Sequence, residues 1–122
     1  MHSFFFDTYA FYEIIAGNPH YQSFTKDVKI VTTQPNLMEL YYQLLSIYDK
    51  ETAIKFFLRY EEFIVPITSS IIIEAMDFRR QHYKQNLSYA DCIGYIIARQ
   101  LNILFLTGDQ QFQDKPNVRF VK

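Results

Sequence analysis

Short apolar runs alternating with longer amphipathic segments predict an α/β domain with a mainly parallel sheet. Two further observations sharpen that prediction. The 122 residues are 49% hydrophobic, which suits one domain over residues 1–122 with enough apolar material for a core. Four acids, Asp7, Glu39, Asp91 and Asp109, stand where strands should end or helices begin. In a parallel α/β fold those positions share one edge of the sheet, the edge where ligands usually bind.

The elements follow in order. Residues 3–6, 29–31, 63–67, 103–106 and 118–121 are short apolar runs, expected as five strands. A first helix over residues 8–16 should stop at Gly17-Asn18-Pro19, a C-cap followed by a breaker. Thr33 is a good N-cap for a helix reaching Tyr48, and Pro35 is tolerated in its first turn. Leu37, Leu40, Tyr41, Leu44, Leu45 and Tyr48 give that helix one apolar face. Residues 50–60 add a helix packed on its neighbour. Residues 69–83 repeat the helical spacing with Ile71, Ile72, Ala75, Phe78 and His82, and residues 88–101 do so with Ala90, Ile93, Gly94, Ile97 and Leu101. Ser88 and Asp91 match the S-x-x-acid spacing of a capping box.

Composition excludes several roles. Net charge is −1, so no broad basic field marks a polyanion-coating protein, although a local patch can still bind RNA. Cys92 is the lone cysteine, so no intrachain disulfide forms; it is expected as core filler in a reducing compartment. His2, His20 and His82 form no zinc spacing. The apolar runs are too short to span a bilayer, and "MHSFFFD" carries no basic leader. A soluble, cytoplasmic protein is the expectation.

The acids admit two readings. Asp7 and Asp91 suit helix N-termini, where an acid contributes a few tenths to about 1 kcal/mol, and Asp109 after Gly108 suits a turn. Glu39 lies past the first helical turn beside the apolar stripe, where capping does not explain it. Taken jointly, four carboxylates on one edge favour function. Two carboxylates ~4 Å apart repel by about 4 kcal/mol at an effective dielectric near 20, so such a cluster needs protons or a cation. Oxygen ligands without a His or Cys set select Mg²⁺ or Mn²⁺.

At these residues the chain resembles the PIN-domain family over nearly its whole length. The landmarks are an apolar strand ending in Asp7, Thr33 followed by Glu39 on a helix, and Ala90-Asp91 opening a helix. An apolar strand closing in Thr107-Gly108-Asp109, with Phe112 after it, completes them. The resemblance implies a three-layer α/β/α Rossmann-like fold with a five-stranded sheet in order 3-2-1-4-5. It implies a Mg²⁺- or Mn²⁺-dependent ribonuclease that leaves a 5′-phosphate and a 3′-hydroxyl. Asp7, Glu39, Asp91 and Asp109 would then be the catalytic and metal-holding residues, with Thr107 supporting the last acid. At this length the chain is similar to the VapC toxins of toxin–antitoxin pairs, which implies an RNA substrate and an antitoxin protein as partners.

One residue departs from the family's pattern. Tyr9 stands where a small polar residue is usual, two positions after the first Asp. Its phenol can donate a hydrogen bond, while its bulk narrows the site or replaces a metal-bound water, which motivates an alternative: a catalytically weak PIN-fold module that binds RNA or protein. Receiver and haloacid-dehalogenase folds also carry acids at a sheet edge, but Thr8 follows Asp7 where a receiver needs a second acid, and "DTYAF" lacks D-x-D. Arg79, Arg80 and Lys84 sit at i, i+1 and i+5 and suggest a solvated helix face. Phe112 suits either a base-stacking or a core role. Ten tyrosines and twelve phenylalanines, with the apolar faces of residues 53–63, suggest a homodimer interface or a groove for an antitoxin peptide.

Overall fold

The computed structural model describes all 122 residues. Its strands are β1 (His2–Phe6), β2 (Val28–Val31), β3 (Leu104–Thr107) and β4 (Val118–Phe120). Its helices are α1 (Thr8–Ile15), α2 (Gln34–Ile47), α3 (Lys50–Tyr60), α4 (Ser69–Gln81) and α5 (Tyr89–Gln100), with short 3₁₀ turns between some of them. All strand pairs are parallel and the order is β2-β1-β3-β4. The chain therefore leaves β1 toward one side for β2 and later returns to its other side with β3.

The expected five-stranded sheet has four strands, and the segment over residues 63–67 is the difference. It meets the sheet at a single parallel bridge, Thr32 to Ile64. Thr32 donates its N–H to Phe63 O at 3.0 Å, and Val65 donates to Thr32 O at 2.9 Å. The ladder stops there because β2 has no more length to offer: Thr33 already caps α2. The bridge lies beside β2, so the segment holds the outer place that the order 3-2-1-4-5 assigns it.

Alternation along β1 explains the three layers. Phe5 points into one core with Phe105, Tyr95, Phe112 and the inner faces of α4 and α5. Phe4 and Phe6 point into the other, with Leu106, Phe11 and the leucines of α2. Helix α5 lies so close to the sheet that a Cβ on Gly94 would come within 2.5 Å of the Phe5 ring. The stop after α1 is realised by Gly17, whose φ of +82° suits glycine after a helix end. On α4 the inward residues are Ile71, Ala75 and Phe78, whereas Ile72 is 45% exposed. Cys92 is core filler, and burial pushes its thiol up to about 11. No helix is long and apolar enough to cross a membrane.

Candidate active site

Strands β1 and β3 end side by side, with Phe6 paired to Leu106. Asp7 follows one and Thr107-Gly108-Asp109 closes the other, at the C-terminal edge and at the topological switch between them. The N-termini of α2 and α5 bring Glu39 and Asp91 to the same region. Charge coupling shows the convergence: Asp91 and Asp109 both raise Asp7, Asp109 raises Asp91, and Asp91 raises Glu39.

Each acid also takes part in local structure, so capping and clustering coexist. Asp7 caps α1, accepting the Thr8 N–H on Oδ1 at 2.8 Å, while Thr107 Oγ1 donates to Oδ2 at 2.7 Å. Asp91 completes the expected capping box. Ser88 N–H donates to its Oδ2 at 2.9 Å, and its own N–H donates to Ser88 Oγ at 3.0 Å. Asp109 accepts the Gln111 N–H on Oδ1 at 3.0 Å and opens a 3₁₀ turn. Glu39 accepts from Thr8 Oγ1 at 3.2 Å on Oε1.

Electrostatically the cluster is frustrated. Asp7 is only 3% exposed, and burial, then the Asp91 charge, pushes its carboxyl up to about 8 despite the Thr107 and Thr8 hydrogen bonds. Burial first, and Asp91 second, also raises Glu39. Burial raises Asp91, opposed by the Ser88 N–H. No basic side chain is among the groups acting on these three acids. A hard divalent cation is a partner this all-oxygen donor set fits, because a nearby positive charge favours the charged form of each raised carboxyl. No group of three or more His, Cys, Asp or Glu side chains stands ready-made around a common point, so the cluster is a shared field before it is a cage.

Thr107, expected in a supporting role, joins the site together with two residues that the sequence did not single out, Thr8 and Asn36. Thr107 Oγ1 accepts the Asp109 N–H at 3.1 Å while donating to Asp7, linking both strand-end acids. Thr8 links Asp7 to Glu39, and its single hydroxyl proton is shared between Glu39 Oε1 at 3.2 Å and Asn36 O at 3.1 Å. Asn36 is fully buried, donating Nδ2 to Thr8 Oγ1 at 3.2 Å and accepting from the Thr33 hydroxyl. A signal for Asn36 existed: it occupies an inward position of α2 beside Leu37, one turn before Leu40, where a polar side chain needs partners. Ser88 was expected as the capping partner of Asp91, and it fills that place.

The remaining expected residues fall elsewhere. The Tyr9 ring packs over Gly108, where a Cβ would collide with it, and Lys122 Nζ lies 5.8 Å from the ring centroid. Tyr9 thus covers the loop carrying Asp109. Phe112 is 0% exposed between Tyr95 and Phe105, so its role is core packing. Arg79 is not merely on a solvated face: its Nε donates to Leu87 O at 3.0 Å and its guanidinium lies over the Tyr89 ring. Arg80 stays exposed.

Comparison with known proteins agrees with this architecture. A family profile described as the PIN domain matches residues 4–118. The chain is similar to a solved Mycobacterium tuberculosis protein, VapC20, described as a Sarcin-Ricin loop cleaving toxin; identity is 16%, TM-score 0.81, with 98% of this chain and 99% of that one covered. It is also similar to a chain of VapBC2 from Rickettsia felis bound to a promoter DNA fragment, at 16% identity and TM-score 0.74, covering 98% and 99%. A toxin–antitoxin complex from Klebsiella pneumoniae gives 18% identity and TM-score 0.73, covering 94% of each chain. At these identities the likeness is one of fold. No curated protein sequence matches the chain.

Proposed function

The chain belongs to the PIN-domain family, and on that premise we propose that it is a divalent-metal-dependent ribonuclease, the toxin of a toxin–antitoxin pair. The observation that carries this reading is the field at the C-terminal edge: Asp91 and Asp109 raise Asp7, Asp109 raises Asp91 and Asp91 raises Glu39, with no basic partner among the groups shifting these three. Asp7, Glu39, Asp91 and Asp109 would hold Mg²⁺ or Mn²⁺. The cation, when bound, supplies Lewis acidity toward water and offsets charge on the scissile phosphate.

The chain's own residues prepare that site. Thr107 and the Thr8 N–H hold both Asp7 oxygens, so its carboxyl is oriented before any ligand arrives. Thr8, whose Oγ1 accepts from Asn36 Nδ2, orients Glu39 by donating to it. Asp7 holds a proton near neutral pH in the metal-free chain and must release it when a cation binds. Metal affinity should therefore increase with pH.

An antitoxin is the proposed protein partner, with self-association as a homodimer. Met38, Tyr42, Leu45, Ile54 and Leu58 leave large apolar groups exposed along α2 and α3. A groove of about 410 Å³ between Met38, Tyr41 and Phe57 adds concave shape. Such a face suits a protein surface. An RNA substrate and a reduced Cys92 suit the cytoplasm.

The test is cleavage of single-stranded RNA by the purified chain. Mn²⁺ or Mg²⁺ should be required, EDTA should stop the reaction, and folded Asp7→Asn should lose it. Cleavage surviving both EDTA and Asp7→Asn would sink the reading. Tyr9, which covers the loop carrying Asp109, motivates one rival, the catalytically weak binding module. RNA binding without cleavage, even with Tyr9→Asn and Mn²⁺, would select it.

A further inference from the structure

Beside Glu39, a groove of about 470 Å³ opens between α2, the C-terminal end of α4 and the head of α5. Met38 and Glu39 line one wall, Arg79 and Tyr89 the other. Tyr89 is 63% exposed, although it lies two residues from Asp91 and next to the capping Ser88. The Arg79 guanidinium lies over this ring, 4.7 Å from its centroid. Its Nε is fixed by Leu87 O at 3.0 Å, which holds the planar fork in the groove wall and engages Nε alone.

We propose that Tyr89 and Arg79 form a platform that seats single-stranded RNA beside the acids, the ring stacking on an unpaired base and the guanidinium holding an adjoining phosphate. The proposal rests on the ribonuclease reading and adds the residues that seat its substrate. An exposed aromatic ring offers a stacking surface that any base can use, provided the base is free of a duplex. Guanidinium is planar, permanently charged and suited to bidentate phosphate contact. It also supplies what the acidic edge lacks, a cation to admit a polyanion next to Glu39. Arg79 and Tyr89 are positioning residues; the acids remain the reacting centre.

Tyr89→Trp gives the experiment a clean reporter, because the sequence contains no tryptophan. In a chain also carrying Asp7→Asn to prevent turnover, a single-stranded oligoribonucleotide should quench that fluorescence to saturation. The matching duplex should not. Tyr89→Ala should weaken single-strand binding at least about tenfold, and Tyr89→Phe should retain it. Arg79→Ala should also weaken binding and reduce its salt dependence, with Arg79→Lys restoring only part. With native acids, Tyr89→Ala should raise KM far more than it lowers kcat.

Undiminished single-strand affinity in both alanine variants, no quenching, or equal quenching by duplex would each overturn the platform. So would intact RNA binding with altered oligomeric mass, which would make the groove a protein-facing surface. Metal-dependent cleavage with an unchanged KM in Tyr89→Ala overturns the platform and leaves the ribonuclease reading standing. RNA binding lost with Tyr89, but no cleavage under any metal, keeps the platform and removes the ribonuclease.

Discussion

The two ends of the sheet carry charge in opposite ways. At the strand starts, a cavity of about 550 Å³ is lined by His2, Lys26, Asp27 and Arg119 over a floor of Phe4 and Phe24. Those charged side chains are exposed and of both signs, and Arg119 rests on the Phe24 ring at 5.7 Å. At the strand ends, four acids gather without a basic neighbour acting on Asp7, Glu39 or Asp91, and Asp7 is buried. Water and mixed sign make the first arrangement cheap, whereas burial and like charge make the second costly. Cavity size does not mark the site here: the larger hollow lies at the end whose charges are exposed and of mixed sign. Uncompensated burial is the better guide.

The strongest way to break this contrast is catalytic. Asp7→Asn should cut RNA cleavage by on the order of 100-fold or more, because losing even a supporting partner of a metal site typically costs 10–100-fold. Asp27→Asn, at the other end of the same sheet, should leave the rate unchanged. Comparable losses in both variants would mean that the acidic edge holds no special place.

The second effect is on stability. Asp7's folded carboxyl is pushed up to about 8, above its ordinary value of 3.8, so between these the folded chain keeps a proton that the unfolded chain has released. Metal-free stability should therefore be fully expressed below about pH 4, fall as pH rises toward about 8, and flatten beyond. Asp7→Asn should remove most of that slope and stabilise the chain at pH 8 by roughly 2 kcal/mol or more, at about 1.4 kcal/mol per pKa unit. Urea denaturation across that pH range in EDTA gives the answer; an unchanged slope would show that Asp7 is hydrated.

Much of this contrast was legible in the chain. Asp7, Glu39, Asp91 and Asp109 fall on one edge because strand ends and helix starts alternate along the sequence, and Ser88-x-x-Asp91 declares its capping box locally. Residues 63–67 misled because an apolar run records burial, while pairing depends on a neighbour; β2 ends at Val31 and Thr33 begins a helix cap. Arg79 was invisible for a similar reason. Its spacing to Arg80 and Lys84 describes one helix, but its contacts with Leu87 and Tyr89 depend on the turn that folds α5 back against α4. Phe112 is settled by Tyr95 and Phe105, which lie on α5 and β3 and meet it only in the folded chain.

Smaller effects sharpen the comparison. Thr107→Val keeps the shape but strips a donor from Asp7 and an acceptor from the Asp109 N–H. Activity should fall about 10–100-fold, and stability by about 1–3 kcal/mol, read from initial rates and urea melts. Tyr9→Asn should leave cleavage unchanged or raised, with a loss of about 1 kcal/mol because the ring covering Gly108 is gone. Arg119→Ala should move stability by only about 0.5 kcal/mol and cleavage not at all.

The claim beneath all of these is that the acidic edge holds a divalent cation, and the melting temperature with and without Mn²⁺ tests it most directly. If only the folded chain binds, Mn²⁺ at 100 times its dissociation constant adds about 2.7 kcal/mol. For a domain of this size that corresponds to roughly 10 °C. The wild type should show that rise and the Asp7→Asn/Asp91→Asn double variant should not. An equal rise in both would contradict a cation held at this edge.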